Sequence, residues 1–295
     1  MSRLKVFLIR AALFPFAQLP LSWAHYLGDI LGRKILILNK KRLQVVHANL
    51  NTCFPNLSTQ EKQKLTKKIA SESGKWAMET VGIWFGNPDK LKMRVYAKNQ
   101  ILLDNAYAKG KGVVLVIPHF GNWEMANFHI PYLYPTAAMY KATDSELIKH
   151  IVLDARVKTT CELFPADGKG VRQAFRHLKK AKVLVVLADH LPSRKAGVYA
   201  PFFGTPALTG KLTHSLIRHN HSEALVVTTR RMPDGAGFEI EFHPLTNIQT
   251  DDPIEAATNL NSAIEKAIMI APEQYQWVYK RFDKQAPGEQ NIYAK

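Results

Sequence analysis

The sequence predicts an α/β fold: a single domain with a mixed, mostly parallel central sheet flanked by helices, preceded by a membrane-associated helical segment at the N-terminus. Three observations carry this reading. Residues 112–118 and 183–188 are continuous apolar runs rich in β-branched side chains, the pattern of strands buried on both faces of a parallel sheet. Each run ends in polar residues, His119 in one case and Asp189-His190 in the other, at the strand end where open α/β sheets hold their ligands. The chain of 295 residues has no internal repeat, low-complexity tract or linker-like stretch, which fits one large domain.

Residues 1–38 begin with an apolar stretch that Arg10, Pro15 and Pro20 interrupt, well short of the roughly 20 apolar residues a membrane span requires. No small-residue cleavage pattern marks a signal peptide. An interfacial anchor fits: Arg3, Lys5, Arg10, Arg33, Lys34, Lys40, Lys41 and Arg42 would meet anionic headgroups while Leu, Phe and Trp side chains enter the acyl boundary. A helix pair packed on the body of the protein is the alternative. Residues 39–295 then form the main domain.

Val45, Val46 and Leu50 space a helix, and Ser58-Thr-Gln-Glu61 is a capping box that opens another, continued by Leu65, Ile69, Trp76 and Val81. Residues 102–109 form a short helix feeding the first buried strand. Residues 137–142 read as a strand and 144–163 as a helix carrying Lys149, Arg156 and Lys158. A helix is expected over 209–218. Strands over 224–231 and 238–242, joined across Pro233-Asp-Gly-Ala-Gly, form a hairpin-like pair at one edge of the sheet. Asp252-Pro253 opens the last long helix, with Ala256, Leu260, Ile264, Ala267 and Ile268 on its apolar side.

The stretch after the first buried strand reads His119-Phe-Gly-Asn122-Trp-Glu124. Asn122 is suited to cap a helix whose first turn holds Glu124 and which continues to Pro131. A strand-turn-helix path can fold Glu124 back to the imidazole. The carboxylate would then fix the tautomer of His119 while the other ring nitrogen takes a proton from a hydroxyl nucleophile. A His and a Glu near a turn are often structural, and the strand-end position brings the two readings level. There is no Gly-X-Ser-X-Gly elbow, and neither Cys53 nor Cys161 sits in a nucleophile setting, so direct attack by a bound hydroxyl is expected rather than a covalent enzyme intermediate. A metal site formed by His119, Glu124 and His129 is disfavoured because the spacing is not that of a helical zinc pair.

His119-Phe-Gly-Asn-Trp-Glu124 resembles the His, four residues, Asp/Glu signature of the glycerolipid and lysophospholipid acyltransferase superfamily. In this wording it is similar to the bacterial lipid A biosynthesis lauroyl/myristoyl acyltransferases. Further blocks resemble that family: Ala48 through Ser58 with its Phe54-Pro55, Phe202-Phe-Gly-Thr-Pro-Ala, and Ala271-Pro-Glu-Gln-Tyr-Gln-Trp-Val-Tyr-Lys-Arg-Phe. The resemblance implies a glycerol-3-phosphate acyltransferase-like fold and a hydrophobic N-terminal anchor on the cytoplasmic face of the bacterial inner membrane. It implies transfer of a fatty acyl chain from acyl carrier protein to a hydroxyl of a lipid A precursor, with no cofactor. His119 would be the general base and Glu124 its orienting partner. Arg156 and Asp189 would line the substrate pocket, with Asn122 beside them; Arg194 and Lys195 read as phosphate or oxyanion contacts or as solvated surface cations, and Phe202, Phe203 and Gly204 as shaping the acyl channel or as plain core. His190 stands where the family has Gln, and the glycine that follows the family's Arg is not evident after Arg156.

The formal net charge of +16 calls for an anionic partner. A membrane surface, a phosphorylated lipid and an acidic carrier protein all qualify, the last through the Lys62, Lys64, Lys67 and Lys68 face. Nucleic acid is disfavoured because no reader motif is present and the aromatic residues are not interleaved with basic ones. The alternatives are an acyltransferase acting on another phospholipid or glycolipid acceptor and a non-catalytic basic membrane-binding protein. With two cysteines and no export signature, a reducing cytoplasmic setting is expected.

Overall fold

In the computed structural model, which describes residues 2–87, 89–90, 93–140, 151 and 160–294, helices come first: α1 (Ser2–Ala17), α2 (Leu21–Leu38), α3 (Lys40–Cys53) and α4 (Thr59–Phe85). Ser58 and Glu61 form the expected capping box at the start of α4. The body alternates strands and helices: β1 (Val95–Lys98), α5 (Gln100–Ala108), β2 (Val113–Val116), α6 (Glu124–Leu133), β3 (Thr136–Tyr140), β4 (Glu162–Pro165), α7 (Gly168–Lys179) and β5 (Val183–Val186). A two-stranded hairpin, β6 (Gly197–Phe202) and β7 (Thr205–Gly210), is followed by α8 (Leu212–Asn220), β8 (Glu223–Arg231), β9 (Phe238–Pro244) and α9 (Pro253–Ile268). Asp252 caps α9 through its side chain.

The main sheet has seven strands in the order β1-β9-β8-β2-β5-β3-β4. All neighbouring pairs are parallel except β8 with β9. Side chains alternate across it, as a pleated strand requires. Val114, Val116, Leu184 and Val186 pack on one face under α3, α7, α8 and α9. Val113, Leu115, Val183 and Val185 pack on the other under α5 and α6. Both central strands are buried along their length, which explains their unbroken apolar sequence.

Several expectations are corrected. The β8–β9 pair is not at the edge, because β1 pairs parallel with β9 and covers it. Leu163 lies in β4 rather than a helix; most of the helix expected over 144–163 falls outside the described residues. Thr209 and Gly210 close β7, and the helix expected there begins at Leu212. α6 runs through Pro131 to Leu133, and its N-cap is Trp123 with no side-chain bond, so Asn122 is not the cap.

Helix α2 buries Leu21, Ala24, His25, Gly28, Gly32 and Leu36. Gly28 and Gly32 lie directly on α4: a Cβ on Gly28 would stand 2.7 Å from Lys75 Cα, and one on Gly32 would overlap Ala70 O. The absence of side chains is what lets the two backbones meet. The other side of α2 exposes Trp23, Tyr26, Leu31, Ile35, Ile37 and Leu38. Among the described residues no single helix is long and apolar enough to cross a membrane; the α1–α2 pair, bent by 113°, reaches the needed length and composition only jointly.

Candidate active site

The parallel register pairs Val116 of β2 with Val186 of β5. His119 and Asp189 each follow three residues later, so they emerge side by side at the carboxyl edge of the sheet. Asp189 grips His119 twice: Oδ1 lies 2.7 Å from the ring Nδ1, and Oδ2 accepts the His119 backbone N–H at 2.9 Å. This pairing fixes the tautomer, with the Nδ1 proton toward the carboxylate, and Nε2 has no protein partner among the described residues. Burial of Asp189 would raise its pKa. The imidazole charge and hydrogen bonds of His119 outweigh that and hold it well below the usual carboxylate range.

Three rings fix the plane of the imidazole. His190 stacks on it at 3.6 Å between centroids with 5° between planes, and Tyr279 stacks on His190 at 4.0 Å. Trp123 stands edge-on at 4.8 Å. His190 donates from Nε2 to Gln276 Oε1 at 3.1 Å. Burial, followed by the neighbouring His119 charge, pushes its pKa down to about 4, so it is neutral at neutral pH.

The turn after His119 is clamped from several sides. Gln276 N donates to His119 O at 3.0 Å, Gly121 N to Gln274 O at 2.9 Å, and Asn122 N to Thr229 O at 2.9 Å. The Thr229 hydroxyl donates to Phe120 O at 3.0 Å. Gly121 has φ +58 and lies so close to the backbone of Thr229 that a Cβ there would overlap its carbonyl; only glycine meets both conditions.

The structure separates the expected site residues into groups. His119, Asp189 and His190 come together. Glu124 is buried in the first turn of α6, but the ring Nδ1 of His119 pairs with Asp189. Asn122 is fully buried, and its Nδ2 donates to Glu79 Oε2 at 2.9 Å. Arg194 bonds Tyr199 OH and Gln285 O, and Lys195 is exposed on the same short 3₁₀ turn. Phe203 and Gly204 form the turn of the β6–β7 hairpin, with φ +49 and +76. There Phe202 packs on Phe282 and under the Arg281 guanidinium, and Phe203 packs on Phe54 and Trp277. Both rings belong to an aromatic cluster that includes Phe54, Trp277 and Phe282. Arg156 lies outside the described residues.

A groove of about 190 Å³ is lined by Gly32, Ile35, Leu36 and Arg42, by Trp76 and Ala77 of α4, and by Gly121, Trp123, Tyr275, Gln276 and Val278; Trp123 and Gln276 also touch His119, which is not itself part of the lining. The walls of the groove are mostly apolar, with Arg42, Glu72, Glu273 and Gln274 among the polar residues that line it. A larger cleft of about 680 Å³, lined by Glu241, His243, Leu245 and Lys266 among others, contains none of the site residues. The sequence did not single out Glu79, Gln276, Trp123 or Tyr279. The 271–282 block, which holds Gln276 and Tyr279, stood out in the sequence only through its resemblance to the family.

A strand-end imidazole held by a buried carboxylate beside an apolar groove is equipped to move a proton at the head of a long-chain substrate. Comparison with known proteins agrees. The model of the bacterial lipid A biosynthesis acyltransferase family matches residues 1–284. The lipid A biosynthesis lauroyltransferase of Escherichia coli is 30% identical over 94% of this chain and 90% of its own length. The palmitoleoyltransferase of the same organism is 27% identical over 95% and 92%. The phosphatidylinositol mannoside acyltransferase of Mycobacterium tuberculosis is 32% identical over 60% and 58%. The chain is an acyltransferase of lipid A biosynthesis and belongs to the bacterial lipid A biosynthesis acyltransferase family.

Proposed function

We propose that the protein transfers a fatty acyl chain from the thioester of acyl carrier protein to a hydroxyl of a lipid A precursor, at the cytoplasmic face of the inner membrane. The observation that carries this reading is the His119–Asp189 pair, 2.7 Å apart at the carboxyl edge of the sheet beside an apolar groove. Nδ1 is committed to Asp189, so Nε2 receives the proton of the acceptor hydroxyl. The oxygen attacks the thioester carbonyl, the tetrahedral intermediate expels the thiolate, and the imidazolium returns the proton to sulfur. Asp189 stabilises the imidazolium directly. Glu124 lies buried in the first turn of α6, the helix that follows the His119 turn. The groove takes the hydrocarbon of a substrate.

Residues 1–38 serve as the anchor. The exposed apolar side of α2 enters the acyl boundary, and Arg33, Lys34, Lys40, Lys41 and Arg42 lie against anionic headgroups. The basic chain also suits an acidic carrier protein. Acylation of another glycolipid is the second reading, favoured by the likeness to the phosphatidylinositol mannoside acyltransferase.

Mass spectrometry of lipid A from cells with the protein, without it, and with His119→Ala tests the assignment. The expected result is an under-acylated lipid A in the deletion that His119→Ala fails to correct, with purified His119→Ala slowed about 10²- to 10⁴-fold. An unchanged lipid A profile in the deletion overturns the acceptor. Full activity of His119→Ala overturns the base.

A further inference from the structure

The chemistry above makes no use of the most deeply buried charged cluster near the site. Glu79, in the middle of α4, is 1% exposed and holds donors from three other elements. His25 of α2 reaches Oε1 at 2.6 Å, Asn122 Nδ2 reaches Oε2 at 2.9 Å, and Arg231 at the end of β8 bonds both oxygens, Nη2 to Oε2 at 2.6 Å. Arg231 Nη1 continues to Glu72 at 2.5 Å, and its backbone is locked to the Gln274 side chain at 2.8 and 3.0 Å.

Burial alone would raise the pKa of Glu79; the Arg231 guanidinium, aided by His25, brings it down instead to about 2. Buried ion pairs are weak contributors to stability, since apolar packing of the same volume serves as well or better. What a carboxylate does here that a hydrophobe would not is hold the Asn122 amide. Asn122 is the residue through which the catalytic turn becomes α6: its N–H goes to Thr229 O, and its carbonyl accepts Met125 N–H at 2.9 Å. The backbone of this one residue joins the exit from His119 to the entry of the helix turn of Glu124, and its side chain ties that junction to Glu79. His25 brings in α2, the helix whose opposite side is apolar and exposed and whose Gly32, Ile35 and Leu36 line the groove.

We propose that Asn122, Glu79 and His25 form a positioning relay for acyl transfer: Glu79 fixes the catalytic turn through Asn122, and His25 ties the outer helix α2 to the same carboxylate. The proposal rests on the reading of His119 as the base. It makes α2 a working part of the catalytic centre.

The test uses the full chain in detergent micelles with acyl carrier protein thioester and lipid A precursor. Asn122→Ala removes the tether and leaves the Glu79–Arg231 pair intact. His25→Leu fills the same space without a donor, and His25→Gln restores an N–H toward Glu79. The expected result is a fall in kcat of about 10- to 100-fold for Asn122→Ala and His25→Leu, the scale of a small misplacement of catalytic groups. KM for both substrates and binding to vesicles stay at wild-type values, and His25→Gln recovers most of kcat. Amide exchange over residues 119–125 is expected to quicken in both impaired variants, a readout available even where activity is too low to measure. Wild-type kcat in Asn122→Ala and His25→Leu, or a raised KM with unchanged kcat, overturns the relay. A His25→Gln variant as slow as His25→Leu overturns the part given to His25. His119→Ala separates the two levels: if it remains active, the reading of the base fails. If it is inactive while the other variants keep wild-type kcat, only the relay fails.

Discussion

Two imidazoles stacked 3.6 Å apart repel when both are protonated, and the site resolves this by keeping His190 neutral. In the unfolded chain His190 has its ordinary pKa of 6.5, and in the folded chain about 4, so between these values the unfolded state binds the extra proton. The stability contributed is fully present above pH 6.5 and is lost as pH falls toward about 4. His190→Gln is expected to flatten the dependence of unfolding free energy on pH across that window, measured by urea denaturation; an unchanged slope would deny His190 this role. His119 and Asp189 were legible because each ends an apolar run. Their bond was not, because sequence does not say which strands are neighbours. Expecting Glu124 on the imidazole followed from nearness in sequence, whereas the carboxylate that binds it lies 70 residues away. Glu79 was illegible for the same reason, with partners 43, 54 and 152 residues distant.

At the scale of elements, α2 and α4 meet backbone to backbone at Gly28, Gly32 and Gly74. Gly32→Ala would drive a methyl group into the Ala70 carbonyl, so the helices must separate, and the His25–Glu79 contact lengthens with them. A loss of about 1–3 kcal/mol is expected, the usual cost of overpacking, seen as a lower Tm. Gly168→Ala, whose added Cβ would meet only an Arg172 side-chain nitrogen at 3.7 Å, serves as the control with Tm unchanged. Elements announced by local chemistry were readable in advance: the Ser58 capping box and the Asp252 cap are written in adjacent residues. Strands β1 and β4 were not, because each is four residues long and mostly solvated or half-buried, so neither shows an apolar alternation. Pro131 misled in the other direction. It forfeits a helix hydrogen bond, but it is buried along with Ile130, and packing carries α6 past it.

The whole molecule follows from two fully buried strands, β2 and β5, which fix a sheet covered on both faces and place the chemistry at its carboxyl edge. The fold class could be read from them; the reversal at β9 and the addition of β1 beyond it depend on pairings between distant segments. Above the edge sits α2, and Ile35 belongs both to the groove wall and to the exposed apolar side of the helix. Under the proposed anchoring of α2, a wall shared in this way makes the lipid phase the solvent from which substrate is drawn. Encounter then takes place in two dimensions, and the relevant concentration is a mole fraction within the lipid layer. In mixed micelles holding a fixed amount of acceptor, added detergent is expected to slow the reaction in proportion to surface dilution while bulk concentration stays constant. A rate that ignored the dilution would mean that the acceptor leaves the lipid phase before it reaches His119.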